Sequence, residues 1–254
     1  MQDPRELWTT TLPRCALALC LAVLGALSVA NADFAFQWQP VPADVPARAT
    51  LAIAAGVVEI LAGVLLVVPR ARSAGAWLAA AVLVGWTALH LPAVVRNPKS
   101  IADWLGLAES AALASALVMF AAVSARSAAA GAVRRWGMAV FGLSAVVFGL
   151  SHFAYADFTA SMIPAWLPQR VTLAYATGAA HALAGLAITV GAVRGLAAAL
   201  ESLMMAGFVV LVHVPRVAAS PGSRMEWTML LVAVMLSSSA ALVAGIARRR
   251  GARP

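Results

Sequence analysis

Charge is scarce in this chain of 254 residues: Asp, Glu, Lys and Arg together make up only 11% of it. Soluble proteins carry about 25%. Combined with a hydrophobic share of 63%, that scarcity excludes both a soluble globular enzyme and a disordered chain. Cysteine is nearly missing. Only Cys15 and Cys20 occur, five positions apart in one apolar stretch and on different sides of a helix. No disulfide framework, CxxC redox pair or Cys-based metal knuckle is therefore available. No Gly-rich loop joins a strand to a helix, which excludes a nucleotide site, and no HxxxH, ExxH or HExxH spacing exists.

What remains is long apolar runs. A bilayer core about 30 Å thick needs roughly 20 apolar residues per helix, and eight such stretches occur, near 12–30, 49–68, 75–95, 104–124, 136–155, 171–193, 196–214 and 226–247. Ala30-Asn31-Ala32 resembles a signal-peptide cleavage site, but the first stretch has a counterpart later in the chain and is kept as helix one. Lys and Arg outnumber Asp and Glu by 18 to 10, in short clusters between the apolar runs. Such clusters are topology signals rather than a nucleic-acid surface. Arg5, Arg14, Arg70, Arg72, Arg126, Arg134, Arg135, Arg194, Arg248, Arg249, Arg250 and Arg253 fall on one side. Arg48, Arg96, Lys99, Arg170, Arg216 and Arg224 fall on the other. The excess predicts that both termini are cytoplasmic, in a bacterial inner membrane.

The chain also repeats itself. VPADVPARATLAIAAGVVEILAGV (41–64) and IPAWLPQRVTLAYATGAAHALAGL (163–186) share 12 of 24 positions at an offset of 122. Chance in an Ala-rich chain gives roughly two or three. LHLP at 89–92 pairs with VHVP at 212–215, Asp103-Trp104 with Glu226-Trp227, and Ala32-Asp33-Phe34 with Ala156-Asp157-Phe158. The expected architecture is an all-α membrane protein of eight transmembrane helices. It comprises two repeated four-helix bundles, residues 1–124 and 136–254, joined by a basic cytoplasmic linker at 125–135. An even number of crossings per unit predicts a pseudo-twofold axis along the membrane normal, a parallel relation that argues against an alternating-access transporter.

In the second half, GLSHFAYADF, MIPAWLP, TGAAHALAGL, HVPR and EWT resemble the DoxX family of small four-helix membrane proteins. The first half resembles the same family through VPADVP, AAGVVEILAGVLLVVPRAR and ALHLP, and it keeps the acidic residue that many members carry in the second helix. The resemblance implies two fused copies and a redox-associated role, linked to quinone reduction or to maturation of redox enzymes. His181 stands where the first copy has Glu59, a departure from the family pattern.

Ionisable groups inside a bilayer cost about 2.5–3.5 kcal/mol each by insertion scales, so they are the first candidates for a site. At about 1.5 Å of rise per residue, Glu59 and His181 fall near the midplane. His90, His152 and His213 fall toward the outer helix ends, and Glu109 one or two turns inside helix four. Glu201 is expected to be structural, near a helix start that favours a carboxylate. The pseudo-twofold relation equates Glu59 with His181 and His90 with His213, and suggests a Glu59–His181 contact across the axis. His152 and Glu109 have no such twins, Ser28 and Val232 standing in their places.

His152, Glu109, Glu59 and His181 are the candidate catalytic groups. His90, His213, Tyr155 and Arg216 are the candidate substrate-binding groups, since Tyr155 shares a helical face with His152 and Arg216 with His213. His90, His152, His181 and His213 are also the candidate ligands of a Cu, Fe or Zn ion. Each histidine equally fits a role as interhelical glue.

The expected function is a membrane oxidoreductase, or the membrane subunit of one, acting on a quinone-like or other lipophilic substrate in the outer half. Electrons would come through a redox partner protein or a bound metal. The alternative is a non-catalytic binder or assembly factor for a lipid, metal or partner protein. Membrane lipids are expected partners and nucleic acid is not; the oligomeric state stays open.

Overall fold

The computed structural model describes residues 6–248. Arg5, Arg249, Arg250 and Arg253, counted above in the basic flank, lie outside them. Eight helices are long and apolar enough to cross a membrane: α1 Leu7–Asn31, α2 Arg48–Val67, α3 Arg72–Arg96, α4 Ile101–Ser124, α5 Ala130–Ala154, α6 Arg170–Val190, α7 Arg194–Ala219 and α8 Arg224–Arg248. A short helix, Ala156–Met162, follows α5 on the side away from the start of α1 and the end of α8. Among the described residues there is no strand. The chain is an all-α integral membrane protein, as its apolar runs predict.

Local chemistry sets the helix ends. The Ser100 hydroxyl oxygen accepts from the Asp103 N–H (3.3 Å) and caps α4. Gly191, in the left-handed region at φ +100°, ends α6. Arg194 then donates to the Ile188 and Thr189 carbonyls that this end exposes. In α7, Pro215 lacks the N–H that would continue the ladder, and the preceding Val209–His213 turn widens to a π-helix. One boundary differs from expectation. Helix α5 starts at Ala130, so Arg134 and Arg135 ride on its first two turns instead of in a linker. Neither a cap nor a proline marks that start, and the arginines alone read as a loop.

The two halves interlock instead of forming self-contained bundles. Helix α1 packs on α2 and α5 on α6; α3 packs on α4 and α7 on α8; α2 meets α3 and α6 meets α7. Closure comes from the other half, since α1 lies on α8 and α5 on α4, with α4 and α8 in contact at the centre. These two central helices are the most buried of the eight.

Glycine makes the closest crossings possible. A Cβ on Gly25 would run into the Gly56 carbonyl across the α1–α2 contact, and one on Gly149 into the Gly178 carbonyl across α5–α6. Without a hydrophobic force between helices in lipid, such close backbone contact is a main source of helix association. Gly25→Ala is therefore expected to cost about 1–3 kcal/mol through overpacking. Gly85→Ala, where the added methyl meets nothing within 4 Å, should be neutral. Thermal unfolding of both variants in detergent checks the contrast.

Candidate functional site

Two buried polar clusters form, one in each half. The first is built around Glu59, in the middle of α2 and fully buried. The connector between α1 and α2 folds back into the bundle, burying Phe34, Ala35, Trp38 and Gln39. A 3-10 turn at Phe36–Trp38 brings Gln39 inward. Its side-chain oxygen accepts from the Ala35 N–H (2.7 Å), which turns its amide nitrogen toward Glu59 Oε1 (2.7 Å). Trp86 Nε1 on α3 donates to the same oxygen (2.9 Å). Glu59 Oε2, Trp38 Nε1 and His90 Nε2 are buried without a hydrogen-bond partner. His90, one helical turn beyond Trp86, lies over Gly106, whose missing Cβ leaves room for the imidazole.

An ion-pair lock holds this connector from outside. Arg48 pairs with Asp33 (2.8 Å) and donates to the carbonyls of Val41 and Pro42. Arg224, from the start of α8, donates to the Asp33 carbonyl (2.5 Å) and lies over the Phe36 ring. Arg48 thus serves to tie down the α1–α2 connector.

The second cluster joins α5, α6 and α7. Thr177 donates its hydroxyl to the Leu173 carbonyl (2.9 Å) and so presents an acceptor to His152 Nδ1 at 3.0 Å. The Ala174 carbonyl, another acceptor, lies 3.2 Å from the same nitrogen. With two acceptors facing it, Nδ1 carries the proton and Nε2 is the acceptor of the neutral ring. The His152 and His181 rings meet edge to face, with centroids 5.1 Å apart. His181 Nδ1 lies 2.6 Å from Glu201 Oε1, and both side chains are buried. Phe148 packs against His181, and Phe208 against both imidazoles. Glu201 Oε2 has no partner.

This geometry corrects two expectations. Glu59 and His181 do not bond across the axis: each finds its partners within its own half. Glu201, expected to be structural through its place near a helix start, has a different partner. It sits two turns into α7 on the face toward α6, where His181 holds it. Gln39, Trp86, Thr177 and Phe208 also belong to the clusters and escaped the sequence reading. The only signal for Gln39 was the aromatic FAFQWQ segment, an unusual composition for a polar loop.

The remaining candidates disperse. Glu109 is half-buried on α4, with no hydrogen bond or ion pair among the described residues. Arg216 makes a two-point pair with Glu226 (2.8 and 2.7 Å), so its guanidinium is occupied. His213 lies one turn before it, with Nδ1 buried and unpartnered. Tyr155 is exposed at the end of α5. Among the described residues no three His, Cys, Asp or Glu side chains gather as a metal site, so His90, His152, His181 and His213 do not converge on one ion.

A family model described as a domain of unknown function, DUF8561, matches residues 17–128 and 141–244. The chain belongs to the DUF8561 family. Both buried clusters fall within the matched residues. The match carries no evidence of DoxX membership. No curated protein and no solved structure matches the chain.

Proposed function

We propose that the chain is the membrane subunit of a redox system that receives a quinone-like, lipophilic headgroup and exchanges protons with it through the second half. The observation that carries this reading is the continuous contact His152–His181–Glu201. His152 is half-buried, and its Nε2 is free to meet a hydroxyl or carbonyl of a headgroup arriving from the lipid. Behind it, the His181–Glu201 pair has two net-neutral forms, imidazolium with carboxylate and imidazole with carboxylic acid. They differ only in the position of one proton across 2.6 Å. Moving that proton within the pair changes no net charge, so a proton accepted at His152 can be passed inward as another leaves the pair, and no net charge accumulates in the bilayer. Oxidising a quinol releases two protons and two electrons; this cluster takes protons, and a partner redox protein takes the electrons.

Titration of the protein in lipid nanodiscs with a radiolabelled short-chain quinone tests this. Saturable binding is expected, weakened about tenfold in His152→Ala by the loss of one hydrogen bond, with the thermal midpoint little changed. Absence of saturable binding, or equal affinity in the variant, would refute it.

The first half supports the alternative, a binding or assembly role. Gln39 and Trp86 both converge on one oxygen of Glu59, fixing the connector in place in an arrangement suited to holding rather than turnover. The differing clusters sit in a duplicated frame. Helix packing in one half has its counterpart in the other. Trp104 Nε1 donates to the Pro98 carbonyl and Trp227 Nε1 to the Pro221 carbonyl, both at 2.9 Å. Ala47 and Gln169, preceding α2 and α6, share the left-handed conformation. These correspondences support two repeated copies about a pseudo-twofold axis, and the DoxX-like reading of each copy rests on the sequence resemblance alone. The arginine bias supports cytoplasmic termini in a bacterial inner membrane.

A further inference from the structure

On the side of the bundle where α1 begins and α8 ends, a cavity of about 430 Å³ opens between the start of α5, the start of α7 and the end of α8. Arg134, Arg135 and Arg194 line it, over apolar surface from Ala132, Met138 and Ala247. We propose that this cavity binds the phosphate headgroup of an anionic glycerophospholipid.

Charge complementarity points to that occupant. Among the described residues, the loops and helix ends on this side of the bundle carry seven arginines and a single carboxylate, Glu6, Arg14 and Glu201 both lying two turns in, whereas the opposite side balances six basic residues against five acidic ones. Nothing acidic stands in the first turn of α5 or α7, and neither helix start has a side-chain cap. The positive ends of both helix dipoles therefore add to the guanidinium field. Basic pockets between transmembrane helices bind anionic headgroups on these terms.

Depth distinguishes a lipid from a free anion. Trp8, Trp77 and Trp136 are exposed near the same helix ends, a ring of indoles at the level where headgroups meet hydrocarbon. Arg135 lies over the Trp136 ring, 5.5 Å from its centroid, which holds the guanidinium at that level. The apolar floor suits the glycerol and upper acyl chain of a lipid and gives nothing to a hydrated phosphate.

The test is thermal unfolding of the full chain in neutral detergent, titrated separately with phosphatidylglycerol, phosphatidylcholine and soluble glycerol phosphate. The expected result is a saturable rise in Tm with phosphatidylglycerol alone. Arg135→Gln should shift the half-saturating concentration about fivefold upward, the effect of one interfacial arginine. Arg70→Gln, on the same side but outside the cavity, should not. Both arginines are exposed, and equal Tm values without added lipid establish that the variants fold. An equal response to phosphatidylcholine, an unshifted Arg135→Gln titration, or a rise reproduced by glycerol phosphate would each overturn the proposal.

Discussion

Glu201→Ala is expected to destabilise the protein by about 3–5 kcal/mol, the cost of breaking a buried, hydrogen-bonded ionisable pair by removing one partner. The carboxylate and the His181 imidazole lie 2.6 Å apart with almost no exposure. Alanine leaves His181 Nδ1 among Phe148, Phe208 and lipid-facing helices, with no acceptor and no water. Removing both partners should be far milder, because a pair replaced by apolar groups of similar volume leaves nothing unsatisfied. His181→Phe combined with Glu201→Leu is therefore expected to recover most of the loss. Denaturant unfolding in detergent micelles measures the cycle. A loss below about 1 kcal/mol for Glu201→Ala would mean that water reaches the pair.

Glu59→Ala should have the second-largest effect, about 2–4 kcal/mol, for a different reason. Here the damage falls on two neutral donors, Gln39 Nε2 and Trp86 Nε1, which lose their shared acceptor at 2.7 and 2.9 Å. The connector that carries Gln39 would lose its innermost anchor, while the outer lock between Asp33, Arg48 and Arg224 remains. Glu59→Gln keeps an acceptor oxygen and is expected to cost no more than about 1 kcal/mol. Unfolding midpoints of both variants, read beside the tryptophan emission maximum, separate the two outcomes. Equal losses in Ala and Gln would show that charge, rather than the acceptor, holds the connector.

Much of the fold was legible in the sequence because a bilayer leaves few choices. Apolar runs of sufficient length become helices, and the eight observed helices overlap the eight expected runs with ends shifted by up to six residues. The largest shift, six residues at Ala130, falls where no cap, glycine or proline signals the start. Interlocking of the halves was not legible, since an internal repeat says which segments are alike and nothing about which copy each packs against.

The candidate sites were legible only as a set of unusual residues. Glu59, His90, His152 and His181 stood out because ionisable groups in lipid need a reason. Their partners did not stand out, because Gln39, Trp86 and Thr177 are ordinary residues made special by a folded connector or a helix crossing. Glu201 was misjudged on depth. A position two turns from a helix start looks superficial along the sequence, yet on its α6-facing side it meets His181 from the next helix. Depth along one helix axis carries no information about which face is covered.

The most direct test of proton handling by this cluster is infrared difference spectroscopy of the protein in native-like membranes, recorded before and after addition of a reduced short-chain quinone. The account predicts a quinone-dependent change in a carboxylic acid band that disappears in Glu201→Gln and persists in Glu59→Gln. A spectrum with no such change, or a band that survives Glu201→Gln, would contradict it.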